Sequence, residues 1–148
     1  MADAKLIGGL FHVATDLERI GDHAENFVDS AELRMTKNIA FSEKAERQLQ
    51  DMTENVLTSL EFAMDMFSKR SPEHMKDIID LENSVYEQEK KLQKAHIKRM
   101  TKGRCTPEAG ILFSDAISGL ERVADHATNI AFAILKPEAV DVADEEED

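Results

Sequence analysis

Residues 17–27 read LERIGDHAENF, and residues 120–130 read LERVADHATNI. Seven of the eleven positions are identical, and two of the replacements exchange one apolar side chain for another. Residues four positions apart lie on the same side of an α-helix. The repeated phrase therefore predicts two matching helices in an internally duplicated fold. Each of these helices presents a glutamate four residues before an aspartate, in the pairs Glu18/Asp22 and Glu121/Asp125.

Apolar residues recur at alternating steps of three and four around both copies, which is the pattern of helices that pack along one side. We expect the first helix from about Lys5 to Met35 and the last from Pro107 to Lys136. Two further stripes, from Ala45 to Phe67 and from Ile78 to Leu92, predict two helices between them. The stripe of the first helix consists of Leu10, Val13, Leu17, Ile20, Ala24, Phe27 and Ala31.

Signals for helix ends divide the chain at the same places. Ser42, Ser71-Pro72 and Thr106-Pro107 are typical of helix starts, and Gly103 is typical of a helix end. Four helices of roughly 30 residues, joined by short links, require antiparallel neighbours. The sequence thus predicts an all-α fold, an antiparallel up-down bundle of four long helices.

Charge and composition limit the function. The chain has 148 residues and a formal net charge of −12, and seven of its acids fall in residues 138–148. We expect one helical domain, residues 1–137, and an acidic disordered tail, residues 138–148. Nucleic-acid binding is not expected of so acidic a chain. No signal peptide or membrane span is evident, and the single Cys105 fits a reducing compartment, so we expect a cytoplasmic domain that does not insert into a membrane.

The repeated acids point away from the apolar stripe. On a helical wheel with Leu17 at zero, Glu18 falls at about 100° and Asp22 at about 140°. An ordinary solvated face, with Arg19 and Arg122 as partners of the acids, is one explanation. A cation site is the other, because like charges four residues apart repel and a cation that takes oxygen ligands would use both.

The familiar catalytic patterns are missing from the sequence. No glutamate precedes a histidine by three residues, as a diiron carboxylate bundle requires. There is no cysteine pair for zinc and no glycine-rich phosphate loop, and Cys105 has no partner motif. We therefore do not expect an enzyme.

The phrase at residues 17–27 resembles the signature of the PhoU family, cytosolic regulators of phosphate uptake built from two three-helix repeats. The resemblance implies that the first helix here is the third helix of one repeat and that the other three form a complete second repeat. It also implies a multinuclear site for iron or other metal ions, without an organic cofactor, on an acidic helix face. Tyr86 stands where an acid of that site would be expected. The implied metal ligands are Glu18, Asp22, Glu82, Glu121 and Asp125.

The stretches 105–110 and 125–131 are similar to the PhoU-like tail of bacterial sodium/phosphate cotransporters. This resemblance implies a regulatory domain of a sodium-dependent phosphate transporter, partnered with that transporter in the same polypeptide or as a separate protein. The chain is then expected to be a fragment or a shortened member. Two alternatives stay open: a stand-alone PhoU-type regulator that acts on an ABC transporter and a sensor kinase, and a structural oligomerisation bundle without metal. A homo-oligomer is expected.

Overall fold

The structure, a computed structural model, describes residues 2–135 as four α-helices. Within that range there is no strand, so the predicted all-α fold is confirmed. None of these helices is both long and apolar enough for a membrane crossing. The expected end of the last helix at Lys136-Pro137 and the acidic tail lie outside the described residues. The helices are α1 (Ala2–Lys37), α2 (Glu43–Lys69), α3 (Met75–Thr101) and α4 (Pro107–Leu135).

Three predicted helix boundaries are confirmed by their local hydrogen bonds and backbone. The Ser42 hydroxyl accepts a bond from the Ala45 N–H at 3.1 Å, and the Thr106 hydroxyl accepts one from Ala109 at 3.2 Å. Both bonds satisfy an N–H group that a helix start leaves without a partner. Gly103 has a φ of +65°, the left-handed conformation that ends a helix at little cost in glycine.

The third helix starts later than the sequence predicts. We expected Ser71 to cap it, but α3 begins at Met75. The Ser71 hydroxyl instead accepts a bond from the N–H of Glu73 at 3.3 Å, two residues on, which forms a local turn and not a helix start. His74 then stacks on the Phe62 ring with 4.4 Å between centroids, which fixes the entry into α3.

The helix α4 lies at the centre of the molecule. It packs against each of the other three helices, and α2 and α3 also pack against each other. The helices α2, α3 and α4 thus form a three-helix bundle, with α1 laid along α4. The predicted apolar stripes of α2 and α3 supply much of the core. The largest fully buried hydrophobic side chains are Phe113, Met52, Met66, Ile78, Ile117, Ile130, Val56 and Val85.

The helix α1 buries only one edge of its apolar stripe. Phe27 fits against α4 because Gly119 has no side chain; a Cβ there would lie 2.8 Å from the Phe27 ring. Val13 is buried, whereas Leu10 and Leu17 are each more than 40% exposed. The prediction that the whole stripe is a buried seam is therefore wrong. The reason is that α1 is packed along one neighbouring helix, which covers one side of it.

Candidate metal centre

Three carboxyl groups meet between α3 and α4, and we call them the carboxyl cluster: Glu82, Glu121 and Asp125. Asp125 is hydrogen-bonded to both glutamates, and Glu82 also reaches the Thr128 hydroxyl. Glu121 and Asp125 are one turn apart on α4, while Glu82 comes from the facing turn of α3. All three are half-buried.

The buried core positions the carboxyl cluster. Val85 on α3 and Ala124 on α4 are both essentially buried members of one apolar cluster. Each lies within three residues of an acid, so packing these two side chains inward brings the acids to the rim of the α3–α4 contact. Polar side chains continue this rim, since Gln93 donates to the Ser118 hydroxyl at 3.3 Å.

Proton binding within the carboxyl cluster is strongly perturbed. Burial raises the pKa of Glu82 from 4.5 to about 7, and the hydrogen bond and negative charge of Asp125 add to this rise. Burial likewise raises the pKa of Glu121 to about 7, with further contributions from Asp125, Glu89 and Glu82. Like charges in a partly desolvated site disfavour the ionised form. The cluster therefore retains protons near neutral pH.

The pair of acids on α4 is less open than the sequence predicts. We expected Glu121 and Asp125 on an accessible face, but α3 covers part of both side chains. Helical periodicity places the acids beside the apolar stripe, but it does not show which helix lies there. Glu82, which only the family resemblance implied as a ligand, hydrogen-bonds with Asp125, and its role as a metal ligand stays a prediction.

The matching acids on α1 have a different environment. Glu18 and Asp22 are exposed, and in the described part of the chain neither forms an ion pair or a hydrogen bond to the carboxyl cluster. Ion pairs of these acids with Arg19 and Arg122, one of the two explanations of the acidic face, are not found within residues 2–135. The two sequence copies thus place one acid pair in a helix contact and the other on open surface.

The histidines of the two copies meet where α1 crosses α4. His126 Nδ1 lies 2.8 Å from an oxygen of Asp16, and the His23 and His126 ring centroids are 6.0 Å apart. Burial lowers the pKa of His23, and the charges of His126 and Arg122 lower it further. These histidines therefore join the helices, while the neighbouring acids remain available for other contacts.

Among the described residues, the group whose ligand atoms come close enough together for one metal ion lies at the link between α2 and α3, and not in the carboxyl cluster. Asp65, Glu73 and His74 each offer one ligand atom, and these atoms lie within 4.8 Å of one another. Asp65 is also held by Lys69 at 2.9 Å and by His74 at 3.2 Å. Sequence reasoning missed this group because it has no repeat and no standard spacing. The short link between α2 and α3 was the available signal in the sequence, because it brings residues at the end of α2 close to residues just before α3.

The carboxyl cluster has the donor chemistry of a hard-cation site. Its donors are carboxyl oxygens, the ligand type that Mg²⁺, Ca²⁺ and Mn²⁺ favour in proteins. The main causes that raise the pKa of Glu82 and Glu121 are burial and the neighbouring acids. A bound cation would offset the repulsion between these acids.

Comparisons with known proteins identify relatives of the chain. The family model described as "PhoU domain" matches residues 49–134. A phosphate-specific transport system accessory protein PhoU homolog of Rhizobium meliloti is 29% identical over 135 residues, which cover 90% of this chain and 55% of that protein. PhoU homolog 1 of Thermotoga maritima, of the same description, is 25% identical over 122 residues, 82% of this chain and 52% of that protein.

The chain spans about half the length of the two curated relatives. No solved structure matches it to a significant degree.

Proposed function

Because the chain belongs to the PhoU domain family, we propose that it is a regulatory accessory protein of phosphate uptake that acts by binding and not by catalysis. Two relatives named as accessory proteins of phosphate-specific transport systems support this role. The carboxyl cluster is the structural observation that carries the proposal, since it is a charged site at a helix contact. The protein's partner is a phosphate transporter, and its place is the cytoplasmic side of the membrane.

A cation bound at the carboxyl cluster is part of this proposal. Glu82, Glu121 and Asp125 would hold it, and the bound ion would replace the protons that these groups retain near neutral pH. The exposed pair of Glu18 and Asp22 offers a second set of oxygen donors on α1. The cation would supply positive charge between α3 and α4, which changes how firmly these helices hold together and what the acidic face can bind.

Phosphate uptake in the native host tests the proposed function. Deletion of the gene should change the rate of labelled phosphate uptake, and the intact gene should restore it. A copy with Glu121→Gln and Asp125→Asn should restore uptake control less well, whereas Glu87→Gln, an exposed acid on α3 outside the cluster, should restore it fully. Unchanged uptake after deletion would contradict the regulatory role.

A domain linked to a sodium/phosphate cotransporter is the second candidate. The similarity of residues 105–110 to the tail of those transporters favours it, whereas the names of the two relatives favour an accessory protein of a phosphate-specific transport system. The reading frame in its genome separates the two. Transmembrane segments in the same frame would support the linked form, and their absence would support the separate regulator.

A structural oligomerisation bundle is the third candidate, and the open edge of α1 favours it. Leu17 and Val28 are 42% and 58% exposed on that edge. Light scattering would detect the expected homo-oligomer. A stable oligomer that neither binds a cation nor affects phosphate uptake would favour this candidate over the regulator.

A further inference from the structure

A cavity of about 150 Å³ lies at the end of the bundle where α2 and α4 begin. Its walls come from the two helix links near Ser42 and Thr106 and from the last turns of α3. We call it the end cavity. A water molecule takes up roughly 30 Å³ of liquid, so the space suits a small ion with some of its hydration. It does not overlap with the carboxyl cluster.

The end cavity has a positive lining in an acidic protein. Arg99 and Arg104 both line it, and within residues 2–135 neither forms an ion pair with a carboxylate. Arg99 instead lies over the Phe113 ring, 5.3 Å from its centroid. Arg99 and Arg104 therefore leave guanidinium N–H donors for an anion, although the whole chain carries a net charge of −12.

Near this end of the bundle, two basic side chains of α1 form ion pairs with acids in the first turns of α2 and α4. Arg34 pairs with Glu46 of α2, and Lys37 pairs with Glu108 of α4 at 2.8 Å. The remaining first-turn acid, Glu43, is exposed and does not line the cavity. The positive charge of the cavity lining is therefore not cancelled by carboxylates in its wall.

Two helix starts add to the positive potential. The Ser42 and Thr106 side chains that cap α2 and α4 both line the end cavity. The N-terminal end of a helix carries a partial positive charge and N–H groups that face outward, and anions are stabilised there. Here two such ends meet around one space, together with the two arginines.

His96 adds a buried polar side chain without a hydrogen-bond partner to the wall of the end cavity. Its ring lines the cavity and is only 5% exposed, yet its Nδ1 has no hydrogen-bond partner within the described residues. Burial and the charge of Arg99 lower the pKa of His96, so the ring is neutral near pH 7 and can donate one N–H. A buried polar atom without a partner is costly in a folded protein unless something else satisfies it.

The backbone of α4 makes room for the His96 ring. Gly110 follows the start of α4, and a Cβ at this position would lie 2.6 Å from the ring. Any larger residue at 110 would displace the histidine or the neighbouring Met100, whose sulfur would be 2.7 Å from that Cβ. The close fit holds the ring at the wall of the cavity.

We propose that the end cavity binds a tetrahedral oxyanion of the phosphate or sulfate class through Arg99, Arg104 and His96, with the helix starts at Ser42 and Thr106 adding positive potential. Two guanidinium groups and two helix starts suit an anion with more than one negative charge better than a single carboxylate. This inference is independent of the regulatory role and of the carboxyl cluster.

Isothermal titration calorimetry tests the proposal on the purified chain in a buffer free of phosphate and sulfate. Sodium phosphate and sodium sulfate are the probes. We expect saturable binding at one site per chain for at least one of them. Arg104→Gln, which lies in a helix link and not inside a helix, should weaken it by at least about tenfold because a charge-assisted hydrogen bond is lost.

The matched control is Arg122→Gln, an exposed arginine on α4 that does not line the end cavity. It removes the same charge and should leave the affinity within about twofold. A second variant, His96→Asn, should also weaken binding, with circular dichroism to verify its helix content. Absence of saturable binding by the parent would overturn the proposal. Equal weakening by Arg104→Gln and Arg122→Gln would also overturn it, because it would mean that the anion responds to net charge alone.

Discussion

In the absence of metal ions, replacing Glu82 by glutamine should increase the free energy of unfolding at alkaline pH. The pKa of Glu82 is raised to about 7, so the folded protein binds a proton more tightly than the unfolded chain between about pH 4.5 and 7. The stability of the parent should therefore fall as pH rises through this window. Glutamine keeps a neutral side chain of the same shape beside Asp125, and it removes this loss.

The expected size follows from the shift and the exposure of the site. A tenfold change in proton binding corresponds to about 1.4 kcal/mol, so the full difference would be about 3 kcal/mol for a buried group. Solvent screening at this half-buried site reduces our expectation to about 1–2 kcal/mol of added unfolding free energy near pH 8, and to about zero near pH 4.

Urea unfolding followed by far-UV circular dichroism, with a chelator present, measures this effect at the two pH values. Glu87→Gln is the matched control, since it removes an exposed carboxylate from the same helix and should change stability by less than about 0.5 kcal/mol. A loss of stability in Glu82→Gln near pH 8, or an effect equal to that of the control, would refute the account of the carboxyl cluster.

Four further substitutions test the packing and one helix cap, each by thermal or urea unfolding. Gly119→Ala should cost about 1–3 kcal/mol, because the new Cβ would clash with the Phe27 ring. Gly21→Ala, with nothing within 4 Å of its Cβ, should instead add up to about 1 kcal/mol through helix propensity, and a loss there would contradict this reasoning. Met52→Ala should lower the free energy of unfolding by about 2–5 kcal/mol, because the shorter side chain leaves a cavity in the core. Ser42→Ala should cost about 1 kcal/mol through its lost cap, and no change would show that the cap is dispensable.

The helices could be predicted from the sequence because their stripes and caps are local signals. The α2 stripe, with Met52 and Val56 buried, and the caps at Ser42 and Thr106 were correctly predicted. The apolar stripe of α1 is equally clear in the sequence, but Leu17 is exposed. A stripe shows that a helix has an apolar side, and it does not show how many neighbouring helices cover that side.

The candidate sites show the same limit. The repeated acids were found because their spacing is visible in one helix, yet only the structure shows that Asp125 bonds to Glu82 across a helix contact. The end cavity had no sequence signal at all. Arg99 and Arg104 are two basic residues among many, and His96 matches no pattern. Only the structure shows that these side chains line one cavity beside the start of α4.

The central claim is that the carboxyl cluster binds a divalent cation, and a calorimetric titration of the metal-free protein with Mn²⁺ tests it most directly. We expect saturable binding near pH 7.5 that releases protons, since ionised carboxyls bind the ion. The variant with Glu121→Gln and Asp125→Asn should lose this binding, and Glu87→Gln should retain it. No binding by the parent, or equal binding by the parent and the double variant, would contradict the claim.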